Sequence, residues 1–279
     1  MKVRNRLAPV TGAVLLGIAL CIPQAWAEAQ LSSDWAEGHS SRARLIAGEK
    51  VAGVEVEMAD GWKTYWRNPG DAGGVPPAFD WSKSSNLAAA KVLYPAPKRF
   101  HDSAGDTVGY KGTVVFPVEL TPKDPAKPID LKLQLDYGVC REICIPAEAA
   151  LSLAIAPMES HAVPSELADA LKRVPAPEAS RRPGDPVLKR VVSEFAGPKP
   201  RLVLEAQFPN GAAHADIFIE APDGLYVPLP KKVSDDGAGN LTFAIDLGDD
   251  VDPNDLKNEK LTATLVSDAG QSEATFSVD

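Results

Sequence analysis

Apolar and polar residues alternate with a period of two along much of the chain. In the first half, such runs occupy residues 54–58, 114–120, 131–135 and 149–155. The runs are short and are bounded by Gly, Pro, Asp and Asn, which is typical of strands that bury one face in a sandwich. The pattern therefore predicts an all-β fold.

The last third of the chain repeats this pattern. Seven short runs within about 95 residues are typical of an immunoglobulin-like sandwich. In chain order the predicted strands are residues 187–195, 201–208, 215–220, 225–229, 241–247, 261–266 and 273–278.

Residues 158–185 interrupt the period-two pattern. Ser165 can cap a short helix whose apolar residues Leu167, Leu171 and Val174 fall on one face. A polar stretch rich in proline follows this helix. The segment is therefore predicted to be a linker.

Together these segments predict two immunoglobulin-like β-sandwich domains, residues 28–157 and residues 186–279, joined by a Pro-rich linker with a short helix. The chain has neither a glycine-rich phosphate loop nor a sustained alternation of strands and helices. A nucleotide-binding fold and a thioredoxin fold are therefore not expected.

The start of the chain has the form of a secretory signal peptide. A basic beginning is followed by an apolar stretch at residues 10–22, and Ala25 and Ala27 are small residues at the positions that a signal peptidase reads. The apolar stretch is too short to cross a bilayer comfortably. Residues 1–27 are predicted to be removed after Ala27, and the protein is predicted to be periplasmic.

The predicted mature chain is acidic. It keeps 26 Lys and Arg residues against 38 Asp and Glu residues, a formal net charge of −12. This charge argues against a nucleic-acid partner, because nucleic-acid binding needs a basic surface. No later apolar stretch approaches the roughly 20 residues of a membrane helix, so no membrane span is expected after cleavage.

The chain has three cysteines, and Cys21 lies in the predicted signal peptide. The remaining pair, Cys140 and Cys144, is a disulfide, a dithiol that cycles, or a metal site. A disulfide that closes so short a loop contributes only about 2 kcal/mol of stability, which makes it a poor staple. An inert structural disulfide nevertheless remains an open alternative.

The predicted strands place this pair where one strand ends and a connection begins, which is useful for thiol exchange because a partner's thiolate needs in-line access. Pro146 is expected to end the strand ladder just after Cys144, and it is a candidate to shield or orient the pair. Tyr137 is a candidate shield for the pair. Arg141 favours a thiolate whereas Glu142 opposes it.

The aromatic residues of the first half have a simpler interpretation. Tryptophans and tyrosines at such spacing in a β protein are usually packing residues. We interpret this set as core and corner residues: Trp62, Tyr65, Trp66, Phe79 and Trp81.

Five segments of the first half form a more specific combination. They are residues 61–71 (GWKTYWRNPGD), 76–81 (PPAFDW), 94–100 (YPAPKRF), 108–110 (VGY) and 137–146 (YGVCREICIP). In this combination the chain resembles the N-terminal periplasmic domain of the DsbD and ScsB thiol:disulfide interchange proteins. The resemblance is dense over residues 30–157.

The resemblance implies an immunoglobulin-like domain with a redox-active cysteine pair, here Cys140 and Cys144. Such a pair accepts electrons from a membrane thiol reductase and passes them to periplasmic thioredoxin-like or disulfide-isomerase proteins, without a cofactor. The spacing of three residues between the cysteines matches the ScsB-like branch, whereas the DsbD branch has five. An aromatic capping loop of the DsbD branch corresponds to residues 100–108, which makes Phe100 a further candidate shield.

Two other functions start from the same residues. Soft thiolates suit copper(I), and the cysteine spacing is that of the copper-A centre. That centre also needs a His and a Met at the positions of Glu148 and Leu151, so a two-thiolate copper chaperone is the remaining copper alternative, with His101 as the one histidine able to approach. The third possibility is a structural interaction protein with an inert disulfide, in which residues 186–279 dock a partner.

Overall fold

The computed structural model describes residues 31–48, 50–102, 105–157, 163–222, 225–248 and 251–279. The predicted signal peptide, its cleavage site and Cys21 lie outside the described residues. In the part of the chain that is described, strands predominate, and the all-β prediction is confirmed. No helix among these residues is long and apolar enough to cross a membrane.

The first sandwich is built from the strands that precede residue 156. In chain order they are β1 (Ala36–Gly38), β2 (Ser41–Ala47), β3 (Val51–Met58), β4 (Lys63–Tyr65), β5 (Ala78–Asp80), β6 (Leu87–Val92), β7 (Lys98–Asp102), β8 (Gly105–Lys111), β9 (Thr113–Pro122), β10 (Ile129–Cys140) and β11 (Cys144–Ile155). One sheet has the order β1-β2-β3-β9-β6. The other has the order β11-β10-β4-β8-β7, and β5 also pairs with β10.

The core of the first sandwich lies between these two sheets. Strand β10 shows why the sequence folds this way: Leu131, Leu133 and Leu135 are buried, whereas Lys132 and Asp136 between and after them are exposed. Successive side chains of a strand point to opposite faces, so the alternation buries one face of the sheet and exposes the other.

Helix α1 (Ser165–Lys172) packs on the outside of the first sandwich. Its Leu167 and Ala170 are buried against Ile46 and Val115 of the first sheet. The cap differs from the prediction, since the N-cap residue is Pro164 and the hydroxyl of Ser165 donates to the neighbouring Glu166 carboxylate.

The second sandwich contains the remaining strands. They are β12 (Ala176–Pro177), β13 (Val187–Glu194), β14 (Arg201–Gln207), β15 (Asp216–Glu220), β16 (Lys231–Asp235), β17 (Asn240–Asp246), β18 (Lys260–Ser267) and β19 (Gly270–Ser277), with a short helix α2 (Pro253–Leu256) before β18. Its sheets have the orders β12-β19-β18-β15 and β13-β14-β17-β16. Apolar side chains from both sheets form one core.

Two local predictions are wrong. Residues 225–229 form no strand, because Pro228 and Pro230 remove backbone donors there; strand β16 begins instead at Lys231, where every side chain is exposed and the apolar alternation is missing. Pro146 does not end the ladder, because it lies within β11 and pairs there with Gly138 of β10. Strand β11 lies at the edge of its sheet, and edge strands tolerate proline.

The two sandwiches are joined by buried and partly buried contacts. Arg67 donates to both carboxylate oxygens of Glu220 at 2.7 and 2.6 Å and also to Glu273. Burial by itself lowers the pKa of Arg67, but these ion pairs outweigh it and raise the pKa above its ordinary value. The rings of Trp66 and Phe218 pack beside these charges with centroids 5.7 Å apart.

Candidate functional site

The cysteine pair lies at the tip of a long hairpin. Strands β10 and β11 pair without a register shift from Ile129 and Ile155 at one end to Cys140 and Cys144 at the other. The two cysteines are therefore direct cross-strand partners, with Cα atoms 4.2 Å apart, and they form a disulfide. The connecting turn is residues 141–143, closed by a 3.2 Å hydrogen bond within it.

The two cysteines differ in accessibility. Cys140 is only 2% exposed, whereas Cys144 is an exposed residue. Two exposed apolar side chains stand near the pair: Ile143 in the turn, 66% exposed, and Val75, 46% exposed, whose carbonyl accepts a hydrogen bond from Gly138. Of the two cysteines, Cys144 is therefore the more accessible to a thiolate of another protein, and Cys140 is suited to be the leaving group.

The buried side of the disulfide is contacted by Tyr65. Its hydroxyl oxygen lies 2.8 Å from Sγ of Cys140 and 2.9 Å from Sγ of Cys144. Because disulfide sulfurs carry no hydrogen, the hydroxyl is the donor. Burial raises the pKa of Tyr65, and the negative charge of Asp102 raises it further, so the hydroxyl keeps its proton at neutral pH.

A partly buried ion pair lies on the same face of the sheet. Lys63 is the cross-strand partner of Cys140, so the two side chains share the outer face. Its Nζ atom donates to Asp102 at 2.5 Å and to the hydroxyl of Thr107 at 2.6 Å. The ammonium group thereby balances the carboxylate that acts on Tyr65.

Two glycines make room for the Tyr65 ring. A Cβ atom on Gly74 would lie 2.3 Å from Cε1 of Tyr65, and one on Gly138 would lie 3.2 Å from Cε2. Gly74 also has a φ of +156°, which L side chains rarely adopt. The ring is therefore held between two stretches of backbone that approach it closely.

The other predicted site residues lie further from the sulfurs. Tyr137 points to the opposite face of β10, into the core, where its hydroxyl is 2.8 Å from that of Ser41. Phe100 lies on β7, which β8 and β4 separate from β10, and its ring packs against Lys111. These positions favour packing roles over shielding. Pro146 is exposed on β11, two residues beyond Cys144.

The site thus includes two side chains that sequence reasoning missed. Tyr65 is buried, as expected of a packing aromatic, but its hydroxyl also donates a hydrogen bond to the cysteine sulfurs. Lys63 was not among the predicted site residues. Both precede the cysteines by more than 70 residues. Only the pairing of β4 with β10 brings these side chains to the cysteines, and no local sequence pattern predicts that pairing.

The described residues provide no third or fourth ligand for a copper-A centre. Among them, no group of three or more His, Cys, Asp or Glu residues could hold a metal ion. His101 lies on β7, and its Nδ1 atom is 2.7 Å from the carboxylate of Asp106. The cysteine pair therefore lacks the further ligands of a copper-A centre.

Fold and site together define an immunoglobulin-like β-sandwich with a partly accessible disulfide at a hairpin tip. Residues 39–156 match the family model described as the N-terminal region of thiol:disulfide interchange protein DsbD. The resemblance predicted from the sequence is thereby confirmed. The matched range contains Tyr65, Cys140 and Cys144 and ends before the second sandwich.

A solved structure shares the fold over a longer range. The N-terminal periplasmic domain of ScsB from Proteus mirabilis matches with a TM-score of 0.68 and 23% sequence identity, covering 89% of this chain and 98% of that one. The shared fold therefore extends over both sandwiches. No curated protein sequence matches the chain.

Proposed function

We propose that this protein is a periplasmic thiol–disulfide exchange protein that relays electrons through Cys140 and Cys144. The donor is a membrane thiol reductase, and the acceptors are periplasmic thioredoxin-like or disulfide-isomerase proteins. The observation that carries the proposal is the asymmetry of the pair: Cys144 is an exposed residue and Cys140 is a buried one, with a hydroxyl donor within hydrogen-bond distance of both sulfurs.

In the first half-reaction a donor thiolate attacks Sγ of Cys144. The disulfide bond breaks, its electron pair goes to Cys140 as a thiolate, and the hydroxyl of Tyr65 donates to that thiolate. A buried thiolate without such a donor would be costly. The donor's second thiol then attacks the mixed disulfide and releases Cys144, so two electrons and two protons pass from the donor's dithiol to the pair.

The second half-reaction reverses these roles. The Cys144 thiolate attacks an acceptor disulfide and forms a mixed disulfide with it, and one acceptor sulfur leaves as a thiolate. Cys140 then attacks Sγ of Cys144, which closes the disulfide and releases the reduced acceptor. The family match of residues 39–156 supports this chemistry. The predicted signal peptide supports the periplasmic setting.

Partner trapping in cells tests the proposal. In the Cys140→Ala variant the resolving thiol is absent, so the exposed Cys144 should accumulate mixed disulfides with a thioredoxin-like protein or a membrane reductase. The matched Cys144→Ala variant leaves only the buried sulfur and should trap much less. Failure of both variants to trap any oxidoreductase, together with a disulfide that stays oxidised in cells under every redox condition, would favour the inert structural bond.

A further inference from the structure

A single loop contacts both Tyr65 and the second sandwich. We call residues 68–75, which follow β4, the covering loop. Its first half is bonded to the second sandwich, and its second half packs on the Tyr65 ring and on β10. The cysteine site and the second sandwich are therefore connected through a few residues of backbone.

The first half is held by Asp71 and Asn68. One carboxylate oxygen of Asp71 accepts hydrogen bonds from the backbone N–H of Leu229 and the hydroxyl of Tyr226, each at 2.9 Å. The side-chain amide of Asn68 donates to the carbonyl of Ile219 at 3.0 Å. All three partners belong to the second sandwich or to the irregular segment before β16.

The second half reaches the site within three residues of Asp71. The backbone of Gly74 lies against the Tyr65 ring so closely that a methyl group there would overlap it. The carbonyl of Val75 accepts the N–H of Gly138, two residues before Cys140, at 3.1 Å. Backbone hydrogen bonds also hold Pro69 and Ala72 to β8, so the Asp71 side chain between them is the point at which the second sandwich can act on the loop and on the ring beneath it.

We infer that Asp71 is a positioning residue for thiol exchange: it fixes the covering loop to the second sandwich and thereby keeps the Tyr65 hydroxyl on the sulfurs. The role of the second sandwich in this site is to hold that loop. The inference rests on the proposed function, because it concerns the same cysteine pair, but its chemistry can be measured without a biological partner.

The test is a double-mutant cycle on the full mature chain. We would measure the rate constant for reduction of the Cys140–Cys144 disulfide by dithiothreitol, and the midpoint pH for alkylation of the reduced thiols by iodoacetamide. The variants are Asp71→Ala and Tyr65→Phe, alone and combined. Asp71→Asn is the conservative control because it retains the accepting oxygen.

We expect Tyr65→Phe to slow reduction about tenfold and Asp71→Ala to slow it about threefold to fivefold, with both raising the midpoint pH of alkylation. Asp71→Asn should stay within about twofold of the wild type. In the Tyr65→Phe background, Asp71→Ala should have almost no further effect, since it acts through the missing hydroxyl. An effect of equal size in both backgrounds, or none in the wild type, would overturn the inference.

Tyr226→Phe keeps the test decisive if Asp71→Ala unfolds. It removes one of the two donors to Asp71 by a substitution outside the first sandwich, so a smaller slowing, again absent in the Tyr65→Phe background, is expected. Unchanged kinetics would count against the inference. Failure of the proposed function can be distinguished from failure of this inference. In the first case Cys140→Ala would trap no oxidoreductase in cells, while the kinetic pattern described here would persist.

Discussion

The Tyr65 hydroxyl donates a hydrogen bond to Sγ of Cys140 across 2.8 Å, although the two residues are 75 positions apart in the sequence. The cysteine is almost fully buried, so a thiolate formed there gains little from water. A preorganised donor at the sulfur therefore decides how readily this sulfur leaves when its partner is attacked.

The first prediction concerns that hydroxyl. Tyr65→Phe should slow reduction of the disulfide by dithiothreitol about tenfold, because a hydrogen bond to a charged group contributes about 1.5–3 kcal/mol and only part of it is formed in the transition state. Tyr94→Phe is the matched control, since the Tyr94 hydroxyl bonds the carbonyl of Pro77 instead. Equal rates for Tyr65→Phe and the wild type would show that the hydroxyl has no part in exchange.

The second prediction concerns the glycine that covers the ring. Gly74→Ala should lower the free energy of unfolding by about 1–3 kcal/mol, because its new methyl group overlaps the Tyr65 ring, and it should slow reduction as well. The adjacent Gly73 has a φ of +71° and open space around it. Gly73→Ala should therefore cost about 1 kcal/mol of backbone strain and leave the reduction rate unchanged. Urea unfolding and dithiothreitol kinetics measure the two effects, and identical behaviour of both variants would refute the argument.

The third prediction concerns the contact between the sandwiches. Arg67→Ala leaves Glu220 and Glu273 without their shared cation in a partly buried setting, and should lower the free energy of unfolding by about 2 kcal/mol. Arg42→Ala is the control, because its pair with Glu57 is more exposed to water and should contribute less to stability than the Arg67 cluster. Urea unfolding compares them. A loss no larger for Arg67→Ala than for Arg42→Ala would mean that the cross-sandwich cluster contributes little.

The fourth prediction concerns alkaline pH. Burial raises the pKa of four tyrosines: Tyr65, Tyr94, Tyr110 and Tyr137. Above about pH 10 the unfolded chain loses these protons while the folded chain retains them, so the free energy of unfolding falls as pH rises. Below that pH the contribution is fully present. We expect tyrosinate absorbance from these residues to appear together with the loss of the native circular dichroism spectrum.

A tyrosine substitution provides the control for that titration. Tyr110→Phe removes a buried phenol whose pKa is raised well above its ordinary value by burial, and it should move the alkaline unfolding midpoint to higher pH. Ionisation of all five tyrosines near pH 10 in a protein that keeps its native spectrum would contradict the prediction.

Alternating patterns predicted the strands well where one face is buried. Strands β10 and β11 are examples, although both extend further toward the cysteines than the apolar residues indicated. The pattern failed at β16, whose side chains are all exposed, so that no apolar alternation marks it. Periodicity reports burial, and a strand that buries neither face leaves no such signal.

The cysteine pair was predictable for a different reason. After the predicted cleavage Cys140 and Cys144 are the only cysteines in the sequence, and their spacing and the surrounding motif indicate thiol chemistry without knowledge of the fold. The function of Tyr65 was not predictable, because it depends on which strand lies next to β10. That neighbour, β4, is only three residues long and entirely buried, and so offers no pattern for register.

The uninterrupted β10–β11 ladder has a consequence for the cost of redox cycling. Twelve residue pairs hold the two strands together, and the cysteines are merely the last of them. Backbone bonding would keep the thiols as neighbours after the sulfur link opens. Oxidation and reduction of the pair would then need hardly any reorganisation of the main chain, as the proposed relay requires.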